Sequence, residues 1–270
     1  MSYEGRIVYV PREQKDFKPL HKTRWLIYAA VLVLFAISGG AVFVLREPRW
    51  QIKNIEVSGA VVLDSEELKS QVFNFLSGNY LFLFPHSSIF ILSSESVKKF
   101  LEREFPRIER VAVSREFPAS LKIHLQERVL WAIFCGAKNC VYVDNNGVAY
   151  EEAPSSSGSL ILKITSDKEN LAISAKLLDD LTLGRMNLIS RGLQEKLQMR
   201  VVGFELFSKV PGEIRVAVSD GFKIYLNRAD DLEKVFEVLK RVLAEEIKEK
   251  RDRLEYIDAR FGNKVFYKLK

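Results

Sequence analysis

From Trp25 to Leu45 the chain runs for 21 residues without a charge, and beyond that stretch it breaks into short alternating and helical patterns. As a helix the run is about 31 Å long, enough to cross the hydrocarbon core of a bilayer. Residues 51–58 then read as an imperfectly alternating strand ending at Gly59. Asp64 followed by Glu67 is a capping-box-like start, after which Leu68, Val72, Phe75 and Leu76 share one helical face. A loop with Gly78-Asn79 and Pro85 leads to a second helix at 94–104, with Val97, Phe100 and Leu101 as its stripe and Pro106 as its stop. Residues 108–115 and 120–126 are predicted strands around a turn at Phe117-Pro118. The order β-α-α-β-β suits a small domain with helices on one face of a sheet.

The pattern then becomes richer in strands. Residues 129–134, 141–144 and 148–151 are predicted strands, and Asn145-Asn146-Gly147 is a tight-turn signal. Residues 153–159 form a short Pro/Gly/Ser loop, and 170–196 read as mainly helical with a break near Gly184. Strands are predicted at 200–206, 213–218 and 223–226, followed by a helix from Asp230-x-x-Glu233 to about Lys250. Leu232, Val235, Phe236, Leu239, Val242 and Leu243 form its apolar face, and its many charges read as a wet surface. Residues 254–270 close the chain as two strands joined at Gly262-Asn263, residues that tolerate the positive φ of a hairpin turn. Ile257, Ala259 and Phe261 are predicted on one face of the first strand, and Tyr256, Asp258 and Arg260 on the other. Three lysines on the last strand guard a sheet edge against indiscriminate pairing, yet such an edge can also accept a chosen partner's strand.

Charge sharpens the first segment. Arg6, Arg12, Lys15, Lys18, Lys22 and Arg24 precede it, whereas Arg46, Arg49 and Lys53 follow within a dozen residues. This bias places the N-terminus in the cytoplasm and everything from about residue 46 outside. Ser38-Gly39-Gly40-Ala41 offers a signal-peptide cleavage site, but the apolar run is too long and the leader too extended, so the reading is an uncleaved anchor. The basic leader holds half of the net charge of +6, leaving the remainder close to neutral. Nucleic-acid binding, which needs a clustered basic footprint, is set aside. Cys135 and Cys140, the two cysteines, lack the further ligands of a tetrahedral metal site. Outside the membrane they are either a disulfide across a short hairpin or two inert thiols.

Chemistry is sparse. Ser96-Val97-Lys98-Lys99 fits Ser-x-x-Lys, but it lies in a short amphipathic helix and no Lys-Thr-Gly or Lys-Ser-Gly accompanies it. There is no Gly-x-Ser-x-Gly, phosphate-cradling glycine loop or His-Glu-x-x-His. His21, His86 and His124 are scattered, and the pairs Asp179-Asp180 and Asp230-Asp231 read as helix surface and helix cap. The chain is expected to be non-enzymatic, with no cofactor, metal or small-molecule substrate.

Gly78-Asn79-Tyr80-Leu81-Phe82, with Pro106-x-Ile108-x-x-Val111-x-Val113-x-Arg115-x-Phe117-Pro118-x-x-Leu121-x-Ile123-x-Leu125-x-Glu127-Arg128, resembles the POTRA module of the FtsQ/DivIB bacterial cell-division proteins. Val129 stands where that family often has proline. Tyr142-x-Asp144-x-x-Gly147 and the closing Tyr256-Ile257-Asp258-x-Arg260-Phe261 resemble the same family's β domain. The resemblance implies an α+β protein: a basic cytoplasmic tail (1–24), a transmembrane helix (25–45), a POTRA-like domain (50–127) and a mixed-sheet β domain with packed helices (128–270). It further implies a single-pass inner-membrane scaffold at the division septum. Such a scaffold would bind an FtsB/FtsL-like coiled-coil pair by strand addition, help control septal wall synthesis and meet other divisome proteins. On that reading Tyr256, Asp258, Arg260, Phe261, Lys264, Val265, Phe266 and Tyr267 form the partner site. Arg260 would offer a charged contact to a partner carboxylate, Phe261 an aromatic anchor, and residues 264–268 their backbone hydrogen bonds. The alternative is an anchored envelope-assembly or secretion chaperone that uses its POTRA-like module on passing polypeptides.

Overall fold

The computed structural model describes residues 5, 8–10, 20–80, 84–155, 160–207, 210, 212–262 and 264–270. Leu81 and Phe82 of the family-like motif, part of the 153–159 loop, Asn263 of the terminal turn, and Arg6, Arg12, Lys15 and Lys18 of the basic leader lie outside the described residues, as does the side chain of Lys22. Two compact units emerge. One gathers the stretch up to Ile55 with Phe73–Ser93 and Arg115–Leu121, and the other gathers Glu56–Val72, Ser94–Ser114 and Lys122–Lys270.

The α+β class expected from the sequence is the class found. Helix α1 (Leu20–Arg46) contains, from Arg24, the one segment among the described residues that is long and apolar enough to cross a membrane. There follow β1 (Asn54–Ser58), α2 (Ser65–Leu76), a ribbon of β2 (Asn79–Tyr80) and β3 (Phe84–Pro85), α3 (Ser94–Glu104), β4 (Ile108–Glu116) and β5 (Ser120–Glu127). Asp64 accepts from the Glu66 amide at 2.9 Å, satisfying one free N–H at the start of α2. The three long strands form a sheet ordered β1-β5-β4. In the first unit Ile52 N–H donates to Ser87 at 2.8 Å, Ile89 N–H to Trp50 at 2.9 Å, and the Arg115 guanidinium to the carbonyl of Ile89 at 3.1 Å.

The rest of the chain builds a nine-stranded sheet. Its strands are β6 (Ala132–Cys135), β7 (Cys140–Val143), β8 (Ala149–Ala153), β9 (Leu162–Ser166), β10 (Val201–Leu206), β11 (Glu213–Val218), β12 (Lys223–Asn227), β13 (Leu254–Phe261) and β14 (Lys264–Leu269). Their order is β14-β13-β12-β11-β10-β9-β6-β7-β8. β9 is parallel to both β6 and β10, and β12 is parallel to β13. Strand β9 escaped the sequence reading because its run is short and follows a loop, yet Ile164 is fully buried there.

Helices α4 (Asp180–Leu197) and α5 (Leu232–Val242) supply Met186, Ile189, Leu193, Val235, Phe236 and Leu239 to a core completed by Phe134, Phe204, Ile224 and Ile257. The Asp179 side chain caps α4 by accepting from the Thr182 amide at 2.8 Å. The helix passes through Gly184 without the expected break, because that glycine faces open space and nothing there interrupts the helical ladder. At Gly192 the two helices are so close that an added Cβ would lie 2.1 Å from the Phe236 ring. The α-helix of residues 230–250 also ends earlier than expected, at Val242. A wide π-type turn (Leu243–Ile247) follows, in which Ile247, flanked by charged residues, is buried, and a 3₁₀ segment (Lys248–Arg253) completes the connection.

The Glu127-Arg128 pair of the family-like motif has a structural role in the second unit. The Glu127 carboxylate accepts from the amides of Val61, Val62 and Leu63 at 2.6, 2.9 and 3.0 Å. Arg128 donates to Asp144 at 2.5 Å and to the Pro106 carbonyl at 3.0 Å. Desolvation pushes the Glu127 carboxyl up, but the three amides and the Arg107 charge outweigh it and hold the group below its ordinary value. A depressed carboxylate stabilises the fold above its unfolded-state pKa and loses that contribution as pH falls through the folded value. Glu127→Gln should therefore lower stability by about 1 kcal/mol near neutral pH. The gap from wild type should close in acid when the two are compared by denaturant unfolding; a gap that persists unchanged in acid would refute this role.

Candidate partner-docking edge

The last strand is where the predicted residues meet. β14 pairs with β13 antiparallel, through Ile257 with Tyr267 and Asp258 with Phe266, and it is the terminal strand of its sheet. The ladder is irregular between Leu254 and Tyr256 and again between Asp258 and Phe261. Gly262 turns the chain with φ +65°, a conformation that side chains other than those of Gly, Asn and Asp rarely adopt. Val265 and Leu269 are partly buried against the core, whereas Lys264, Phe266 and Tyr267 are exposed.

Irregular pairing redistributes the faces of β13. Ile257 and Ala259 point into the core as expected, but Phe261 is 54% exposed and meets the 55% exposed Phe266 edge to face, with ring centres 5.4 Å apart. Tyr256 stacks on Tyr225 at 5.0 Å. Asp258, expected on the polar face, is 7% exposed.

Arg260 is not the unoccupied cation that the sequence suggested. Its Nε donates to Asp258 Oδ1 at 2.8 Å, a terminal nitrogen donates to Asp258 Oδ2 at 2.5 Å, and the other terminal nitrogen pairs with Glu213. Burial pushes the Asp258 carboxyl up, but these hydrogen bonds to Arg260 more than offset it and leave the group below its ordinary value. The Arg260 guanidinium is held above its ordinary range, chiefly by the same bonds. Arg260 and Asp258 therefore fix the hairpin from inside, and the open surface of the edge is aromatic and lysine-bearing. Sequence reasoning missed Glu213 and Arg215 on β11, although their alternation with the buried Ile214 and Val216 placed both on the polar face.

The opposite edge of the sheet is different. Ala149 at the start of β8 exchanges hydrogen bonds with its outer neighbours, its N–H donating to Ala175 at 2.9 Å and its carbonyl accepting from Ser174 at 2.8 Å. Glu151 and Glu152 then occupy the exposed positions, and Glu151 pairs with Arg107. Elsewhere, Cys135 and Cys140 oppose each other across the β6–β7 hairpin and are joined as a disulfide. His124 shares a 3.0 Å hydrogen bond with Ser58. Among the described residues no group of three or more His, Cys, Asp or Glu side chains is placed to hold a metal ion.

Residues 50–128 match the family described as "POTRA domain, FtsQ-type". Those residues are an FtsQ-type POTRA domain. The cell division protein FtsQ of Streptomyces coelicolor is 30% identical over 141 residues, covering 52% of this chain and 49% of that protein. The chain thus spans about half the length of the curated relative it matches. Together the two findings support the FtsQ/DivIB resemblance read from the sequence. They also give the Phe117-Pro118 to Glu127-Arg128 run its context, since it forms the turn and second strand of the β4–β5 hairpin within the POTRA domain.

Proposed function

We propose that this chain is a non-catalytic scaffold of bacterial cell division that captures a partner strand along β14. The α1 helix anchors it in the cytoplasmic membrane, with the basic leader inside and the POTRA and β domains outside, at the septum. The partner is an FtsB/FtsL-like coiled-coil pair, and docking helps control septal wall synthesis. The observation that carries the reading is the contrast between the sheet's two ends. β8 is partly covered and carries glutamates outward, whereas among the described residues β14 is flanked by β13 on one side alone, and it exposes Phe266 and Tyr267. Strand addition draws affinity from main-chain hydrogen bonds and specificity from alternate side chains. Exposed aromatics are the residues that dominate small interfaces.

The test replaces Phe266 by the photo-cross-linker p-benzoylphenylalanine in living cells. Illumination should yield an adduct with the FtsB/FtsL-like pair, and the same cross-linker at Glu152 on the opposite edge should yield none. No adduct at Phe266, or an equal adduct at both positions, sinks the docking edge.

A further inference from the structure

Six side chains, Phe207 just after β10 and five from the strands β11 to β14, form one column on the face of the sheet away from α4 and α5. The Arg215 guanidinium lies 5.1 Å from the Phe207 ring centre and 4.8 Å from that of Tyr225. The Arg260 guanidinium lies 5.7 Å from Tyr225 and 5.6 Å from Phe261, and Phe261 meets Phe266 at 5.4 Å. The order is ring, cation, ring, cation, ring, ring. Strand register supports it, because Glu205, Arg215, Tyr225, Asp258 and Phe266 are successive cross-strand partners from β10 to β14. The buried Glu213 carboxylate pairs with both arginines and holds their spacing.

Guanidinium groups stacked on aromatic faces attract through the ring quadrupole, and the planar cation can also serve carboxylates at its edge. Both modes are used at each arginine here. The column ends where the backbone is least able to set geometry: the β13–β14 pairing is irregular from Asp258 to Phe261, and Gly262 has no neighbour within 4 Å of where a Cβ would sit. Phe207 just after β10, Arg215 on β11 and Tyr225 on β12 precede that irregular stretch, and the column continues through Arg260 to it. We infer that this column is a positioning device, transmitting the rigidity of the central strands to the exposed Phe261–Phe266 pair so that the open edge is held ready for a partner strand. Its purpose rests on the docking reading; its existence as a mechanical link does not.

The experiment is hydrogen–deuterium exchange on the full chain in detergent micelles. Tyr225→Leu removes the central ring but keeps an apolar side chain, and Tyr225→Phe keeps the ring face. Tyr225→Leu should speed amide exchange across Leu254–Leu269 roughly fivefold while the β6–β7 hairpin keeps its wild-type rate, and Tyr225→Phe should match wild type. Phe207→Leu, at the far end of the column and removing only the ring beneath Arg215, should give the same local pattern at roughly twofold. Unchanged exchange in the terminal hairpin, or equal acceleration in both hairpins, overturns the inference, the latter because it marks a general loss of stability. Because no partner is present, a failed cross-link at Phe266 would remove the docking reading and leave this result standing, and the reverse holds equally.

Discussion

Gly59→Ala should destabilise the POTRA domain by at least about 3 kcal/mol, the largest effect expected from a single small substitution in this chain. Gly59 follows β1 with φ +87°, and a Cβ there would sit 1.9 Å from the Leu125 carbonyl oxygen. Both terms act together: the torsion disfavours a side chain, and the obstacle is backbone of β5, the middle strand of its sheet. A flexible side chain could move aside, but a paired strand cannot without breaking its ladder. Gly221 provides the control, since it has φ +86° with nothing within 4 Å. Gly221→Ala isolates the torsional share and should cost about 1 kcal/mol. Denaturant unfolding of both variants in detergent measures the difference. Equal losses would mean that the Leu125 contact is relieved without penalty.

Arg260→Leu is the second large effect, about 3 kcal/mol near neutral pH. The carboxylates it would abandon are deeply placed, with the Asp258 side chain 10% and the Glu213 side chain 4% exposed. Glu213 retains Arg215, so most of the penalty falls on Asp258. The sign of the pH dependence follows from the depressed Asp258 carboxyl. In wild type its stabilisation is complete above the unfolded-state pKa and is lost as pH falls through the folded value. Without Arg260, burial dominates and raises that carboxyl, so acid neutralises the stranded charge. The deficit of Arg260→Leu should therefore begin to shrink above the ordinary carboxylate value and go on shrinking as pH falls through the depressed wild-type value, and Asp258→Asn in the same background should recover part of it at neutral pH. A deficit that is constant with pH would show that packing of the guanidinium, not charge, is what the hairpin loses. Loss of partner capture by this variant would thus report a disturbed hairpin and not a removed contact.

The sequence made the architecture legible where local signals agree with tertiary packing. The 94–104 helix, bounded by an amphipathic stripe and Pro106, is found at those bounds, and the two strands of the β4–β5 hairpin match to within one residue, whereas β1 starts three residues later than its pattern suggests. Misreadings arose where packing overrides local preference. Gly184 suggests a helix break, but the helix continues because Asp179 caps it and Met186, Ile189 and Leu193 are buried beyond that point. Strand β9 has too few residues to announce a period, and its place between two parallel neighbours is fixed by contacts distant in sequence. The terminal hairpin was legible as a structure but not in its side-chain chemistry. Alternation located the terminal hairpin, whereas the occupation of Arg260 by Asp258 and Glu213 depends on a side chain 47 residues away and on a ladder irregularity that no spacing reveals.

The lysines of the last strand have one more consequence. If two copies of this chain met antiparallel through β14, a pairing centred on Tyr267 would oppose Lys264 to Lys270, and one centred on Phe266 would oppose Lys264 to Lys268. Directly opposed like charges weaken such a pairing. On the docking reading, charge therefore disfavours homotypic zippering, less so at Lys268, which Glu255 already pairs at 2.6 Å, and leaves the edge's amides and carbonyls to a strand with carboxylates at alternate positions.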